Sequence, residues 1–207
     1  MDFSPEFADE LDHLLRWRRD VRHFRRDPLP SGLLESLLER AALAPSVGYA
    51  QPWRFVRVDD PQRRQTVIAS FERANAAALQ SYEGEDAQRY ASLKLAGLHD
   101  APVHLAVFCD EATTIGKGLG RATMPEMLDY SAVMAVFVLW LAARARGIGM
   151  GWVSILEPDV VTQALDVPSG WRLIAYLCIG YPIEDSDTPE LARTGWENSQ
   201  PTPLLPR

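Results

Sequence analysis

Arg18-Arg19-Asp20-Val21-Arg22 sets three cations around one carboxylate within five residues. Arginine stays protonated and presents planar forks of N–H donors that match phosphate or carboxylate oxygens, so three of them at this spacing suit a phosphorylated ligand. Asp20 is the odd member. A carboxylate kept ionised by neighbouring arginines, beside a bound anion, is a candidate proton carrier. The plainer reading is a solvated basic stretch in which Asp20 pairs with Arg18 or Arg22 and only orients it. Ser46 and Gln51, in Pro45-Ser46-Val47-Gly48-Tyr49-Ala50-Gln51-Pro52-Trp53, carry donors for a polar ligand, or else hold the turns of their own loop.

These residues need elements to position them. Leu11, Leu14 and Leu15 follow helical spacing and predict an N-terminal helix running into the arginine cluster, where its C-terminal dipole favours cations. Ser31 is the expected cap of a second helix, with leucines at 33, 34, 37 and 38 on one face and Pro45 as its stop. The Pro- and Gly-rich stretch 45–53 reads as a loop. Phe55 to Val58 reads as a strand, and Gln62 to Gln80 as a helix opened by Asp60-Pro61. Residues 81–98 begin with a polar stretch, Ser81 to Gln88, which fits a mobile lid or an ordinary surface turn. His104 to Cys109 is a strand. Gly116, Gly118 and Gly120 lack the spacing of a dinucleotide fingerprint and read as a turning connection. Met124 to Arg146 is a long apolar helix with Pro125 in its first turn and Gly147 past its end. Gly147-Ile148-Gly149-Met150-Gly151 then leads into a strand at Trp152 to Leu156. Its three alternate glycines permit close approach by something flat or bulky. A helix at Pro158 to Leu165, a strand at Arg172 to Gly180 and a Pro-rich tail complete an α+β reading: a central mixed sheet flanked by helices, with a long buried central helix.

The 207 residues suit one domain, 1–207, with residues 185–207 as a C-terminal extension. Composition is 47% hydrophobic and 24% charged, with a net charge of -7, which gives no reason to expect nucleic acid. Cys109 and Cys178 sit in apolar runs and read as reduced core thiols. No secretory leader opens the sequence, so a cytoplasmic protein is expected. The apolar run Ala132 to Ala143 is shorter than a membrane span, and no membrane partner is expected. A helix apolar on nearly all sides needs more cover than one chain of this size readily gives, which predicts a homodimer; a helix central to one chain's own core is the alternative.

Arg18-Arg19-Asp20-Val21-Arg22-His23-Phe24, then Ala44-Pro45-Ser46, then Gln51-Pro52-Trp53-Arg54-Phe55, resembles the flavin-binding frame of the nitroreductase-like superfamily. Asp20, the Pro-Ser-Val-Gly loop and Gly151-Trp152-Val153-Ser154-Ile155-Leu156-Glu157-Pro158 resemble its flavin-fragmenting branch, the 5,6-dimethylbenzimidazole synthases. Tyr90 to Leu95 and Leu119 to Glu126 look like the same branch. The resemblance implies a nitroreductase-like fold and a domain-entwined homodimer with FMN between subunits. It places Arg18, Arg19, Val21 and Arg22 at the flavin phosphate and pyrimidine edge, with Ser46, Gln51, Trp152 and Ser154 also at the flavin. It further implies that reduced FMN and dioxygen are consumed, that the products are 5,6-dimethylbenzimidazole and erythrose 4-phosphate, and that Asp20 and Ser154 act in catalysis. No metal is expected; a separate flavin reductase would supply FMNH2. The alternatives are an NAD(P)H-dependent nitroreductase or reductive dehalogenase that recycles FMN, and a non-enzymatic flavin carrier. Two departures from the wider superfamily stand out: Tyr49 replaces a frequent Asn, and Glu197-Asn198-Ser199-Gln200 lacks a basic residue, leaving Arg193 as the available substitute.

Overall fold

A computed structural model describes residues 2–92 and 96–207 of the chain. Helix α1 (Pro5–Trp17) begins at Ser4, whose hydroxyl accepts from the Phe7 N–H at 3.3 Å, and it ends at Arg18. The arginine cluster therefore lies in extended chain beyond the helix rather than within its last turn. Helix α2 (Leu33–Ala41) is entered through Gly32 at φ +77°, with no side-chain cap. Ser31 sits in the preceding turn, so the expected serine cap is replaced by a glycine that tolerates the left-handed turn. A short 3-10 turn at Val47–Tyr49 leads into strand β1 (Trp53–Arg57). Helix α3 (Pro61–Leu79) is capped by Asp60, which accepts from the Gln62 N–H at 2.7 Å.

The stretch expected as a lid contains helix α4 (Gly84–Ser92) and the start of α5 (Gly97–Asp100); residues 93–95, which carry the end of the Tyr90 to Leu95 motif, lie outside the described residues. Strand β2 (Val103–Asp110), helix α6 (Met127–Arg144), strand β3 (Gly149–Val153), helix α7 (Pro158–Leu165), strand β4 (Trp171–Gly180) and helix α8 (Glu190–Arg193) follow. Met124 to Glu126 form a tighter turn, with Met127 N–H bonded to Met124 C=O at 3.1 Å, so Pro125 precedes α6 instead of opening it.

Among the described residues the strands form one sheet in the order β1-β2-β4-β3. Every pairing is antiparallel. The expected mixed sheet is thus corrected: each strand enters beside its neighbour from the opposite end, and parallel pairing is confined to an isolated bridge between Asp20 and Met150. Strand β3 also starts three residues earlier than expected, Gly149 facing Gly180, and it stops at Val153.

Side chains alternate across the sheet. Leu105, Val107, Leu177 and Ile179 face Leu37, Val136 and Leu139 of α2 and α6, while Ala106, Phe108, Tyr176 and Cys178 face Val67 of α3 and Val161 of α7. Helices thus cover both faces of the sheet, an α+β arrangement. Cys109 and Cys178 are free and buried, and burial pushes each thiol up to about 12. Helix α6 is only half covered. Its buried residues, 39% of its length, meet the sheet and α2, while Tyr130, Val133, Met134 and Phe137 form an exposed stripe at helical spacing.

Candidate functional site

Strand β3 is an edge strand, and the chain after α1 lies along its open side. The Val21 N–H donates to the Met150 carbonyl at 3.0 Å. A Cβ at Gly151 would overlap the Val21 carbonyl oxygen, and one at Gly149 would meet the Val21 side chain at 2.8 Å. The bulky neighbour that Gly149 and Gly151 accommodate is therefore Val21 of the arginine segment, while Gly147 faces open space.

This seating fixes the carboxylate. Asp20 Oδ1 accepts from the Trp152 N–H at 3.0 Å, and Oδ2 faces Arg22 Nε at 3.5 Å. Arg22 is 12% exposed and Asp20 38%, with the open side of Asp20 turned into a cavity. Burial raises the Asp20 pKa above the usual carboxylate value; the Trp152 N–H and Arg22 oppose that rise, and Glu190 adds to it. The expectation that arginines simply hold this acid ionised is reversed in direction, because desolvation outweighs the cations.

The cavity is about 560 Å³, within the range of small-molecule sites. Arg19, Asp20, Val21 and Arg22 form one side, Trp17, Trp140 and Arg144 a second, and Glu190, Arg193 and Thr194 of the C-terminal segment a third. Arg144 pairs with Asp185 at 2.6 Å. The Arg193 side chain has no hydrogen-bond or ion-pair partner among the described residues. Arg18 stands outside the lining and stacks over Trp140, its guanidinium 5.0 Å from the ring centroid.

The remaining expected residues lie apart from this group. Trp152 joins Asp20 through its backbone and borders a much smaller void with Gly97 and Cys178. Ser154 is exposed just past the end of β3, and its carbonyl accepts from the Leu156 N–H at 3.0 Å. In the 46–51 loop, Ser46 Oγ accepts from the Gln51 N–H at 3.1 Å, and Ser131 of α6 holds the Val47 N–H at 3.0 Å. Tyr49 and Gln51 have positive φ, and the loop packs on the Gly116 to Gly120 connection, where a Cβ at Gly116 would meet the Gly48 carbonyl at 2.6 Å. Those glycines do more than turn the chain. From Ser131 to Trp140 is nine residues of helix, so the Ser46 loop and the arginine segment stand about 14 Å apart along α6.

Trp17, Trp140, Arg144 and Glu190 were not singled out in the sequence. A signal existed for one pair: Trp140 and Arg144 are spaced i, i+4 at the end of an apolar helix and so share a face. Glu190 and Thr194 come from a segment whose packing the sequence pattern does not specify.

Residues 15–181 match the sequence profile of the Nitroreductase family. The chain is 60% identical over 207 residues to the 5,6-dimethylbenzimidazole synthase of Rhodospirillum rubrum, covering 99% of this chain and 97% of that one. It is 49% identical over 202 residues to the 5,6-dimethylbenzimidazole synthase of Rhodobacter capsulatus, covering 98% of each. Among solved structures, iodotyrosine deiodinase bound to FMN and 3-iodo-L-tyrosine superposes with a TM-score of 0.74 at 24% identity, covering 95% of this chain and 97% of that one.

Proposed function

The chain belongs to the nitroreductase family, and on that premise we propose that it is a 5,6-dimethylbenzimidazole synthase that consumes reduced FMN and dioxygen. The observation that carries the reading is Asp20: a carboxylate desolvated among arginines, hydrogen-bonded by a strand amide and open to a cavity of ligand size. The cavity's residues fit FMN by their chemistry. Arg19, Arg22 and Arg193 offer charge for a phosphate, and Trp17 offers a face for a flat ring. Bound as substrate in reduced form, FMN would supply all the carbon and nitrogen of 5,6-dimethylbenzimidazole, with dioxygen as the oxidant, and its last four ribityl carbons would leave as erythrose 4-phosphate. Asp20, with its raised pKa, is suited to accept and return a proton at its carboxylate. Ser154 is proposed to relay a proton through its hydroxyl.

The working unit in this proposal is a homodimer. Support comes from the exposed α6 stripe and from the separation of the Ser46 loop from the arginine segment, which a second copy bridges by presenting its own loop. FMNH2 would come from a separate flavin reductase.

The test is to incubate the protein with FMN, a chemical reductant and air, and to identify products by chromatography and mass spectrometry. Formation of 5,6-dimethylbenzimidazole is expected. Asp20→Asn is expected to bind FMN and form almost none. FMN recovered intact after many turnovers of a reduced nicotinamide would overturn the reading.

A further inference from the structure

The geometry points to Trp140 as the positioning residue of the arginine segment, a role that rests on the reading of that segment as the FMN grip. Trp140 is half-buried near the end of α6 and makes two separate contacts with consecutive residues. Its indole Nε1–H donates to the Arg19 carbonyl at 3.2 Å, and its ring face carries the Arg18 guanidinium at 5.0 Å. A third contact, with the Trp152 ring at 6.5 Å, reaches the residue whose N–H holds Asp20. One side chain thus ties the arginine segment to the helix, while the Val21 and Trp152 amides tie it to the strand.

The consequence for binding is orientation. Arg19 has its Nε on the Asp187 carbonyl at 2.8 Å and a second nitrogen on the Arg18 carbonyl at 2.8 Å, so its guanidinium follows the backbone that Trp140 holds. Arg18 has no ion pair among the described residues, and the indole face is the contact that fixes it. A guanidinium free to roam loses side-chain entropy when it grips an anion, whereas one already stacked has given up part of that freedom. Trp140 therefore acts through Arg18 and Arg19.

The test compares Trp140→Leu, Trp140→Phe, Arg18→Gln and the Trp140→Leu/Arg18→Gln double variant. Readouts are FMN titration, thermal unfolding, and exchange of the Val21 amide in ligand-free protein. Trp140→Phe keeps a ring face for Arg18 but loses the N–H, so a loss of FMN affinity of about threefold is expected, against about tenfold for Trp140→Leu. Because both contacts belong to one unit, the double variant is expected within about twofold of the weaker single variant, not at the product of the two losses. Additive losses, or Trp140→Leu within twofold of the unaltered protein, would overturn the role. If the unaltered protein fails to bind FMN, the reading of the site falls. The positioning role is then decided by exchange: Val21 exchanging about tenfold faster in Trp140→Leu, with β4 amides still protected, sustains it, and unchanged Val21 exchange refutes it.

Discussion

Gly151→Ala adds a single methyl group, yet the structure makes it a severe test of how the arginine segment is held. The new Cβ would overlap the Val21 carbonyl oxygen, a backbone atom that cannot rotate away as a side chain can. The segment must lift from β3. Two hydrogen bonds are then lost: Val21 N–H to Met150, worth about 0.5–1.5 kcal/mol net, and Trp152 N–H to the Asp20 carboxylate, worth about 1.5–3 kcal/mol as a charged bond. A loss of about 2–4 kcal/mol in folding stability is expected, from urea unfolding at fixed protein concentration followed by tryptophan fluorescence. FMN affinity should fall at least about tenfold, because each 1.4 kcal/mol of misplacement is a factor of ten. Gly147→Ala is the control. Gly147 has φ +70° and open space around its Cβ position, so it should cost about 1–2 kcal/mol of backbone strain and leave FMN affinity alone. A Gly151→Ala protein within 0.5 kcal/mol of the parent and within twofold in FMN affinity would refute this account of the segment.

Other expectations concern pH, charge and assembly. His104 is buried, shares a 2.9 Å hydrogen bond with the Tyr176 hydroxyl, and is lowered to about 3, first by burial and then by Arg64 and His99. Unfolded His104 takes up a proton below 6.5 while the folded ring stays neutral, so stability from this residue is complete above pH 6.5 and lost toward pH 3. The loss is about 1.4 kcal/mol per pH unit, roughly 3 kcal/mol between pH 6.5 and 4.5. Urea unfolding across that range should show His104→Gln to be less pH-sensitive by this amount, and an equal slope would count against it. Arg193→Gln should weaken FMN binding about fivefold to tenfold and riboflavin binding hardly at all, since the phosphate is what the cation meets; equal effects on both would place Arg193 away from it. Phe137→Asp puts a charge on the exposed α6 stripe and should shift the protein to monomer in analytical ultracentrifugation. An unaltered oligomeric state would remove the stripe from the interface.

Much of the fold was legible because local patterns carried it. Leu33, Leu34, Leu37 and Leu38 mark α2 by spacing, and Asp60-Pro61 marks the start of α3. The Arg18 to Arg22 cluster was legible as a candidate site because three guanidiniums around one carboxylate suit an anion. What escaped was long-range. β3 beginning at Gly149 and the antiparallel run of every strand depend on partners distant in sequence. The rise of the Asp20 pKa escaped for the same reason: neighbours in sequence are cations, but burial beside β3 and, to a smaller degree, the like charge of the distant Glu190 push it up. Trp140 lies more than a hundred residues from the arginines it touches, and no short motif records that contact.

The seat of the arginine segment has a second bearing, on how the protein behaves when crowded with its own copies. Strand β3 carries the apolar sequence Gly-Met-Gly-Trp-Val on the rim of the sheet, where an unpaired strand is a template for another chain. Residues 20–21 occupy part of that rim. The segment proposed to grip an anion is therefore also a guard against edge-to-edge pairing. Changes that loosen it would cost colloidal stability along with affinity, and a ligand that tightens it would protect the protein from self-association.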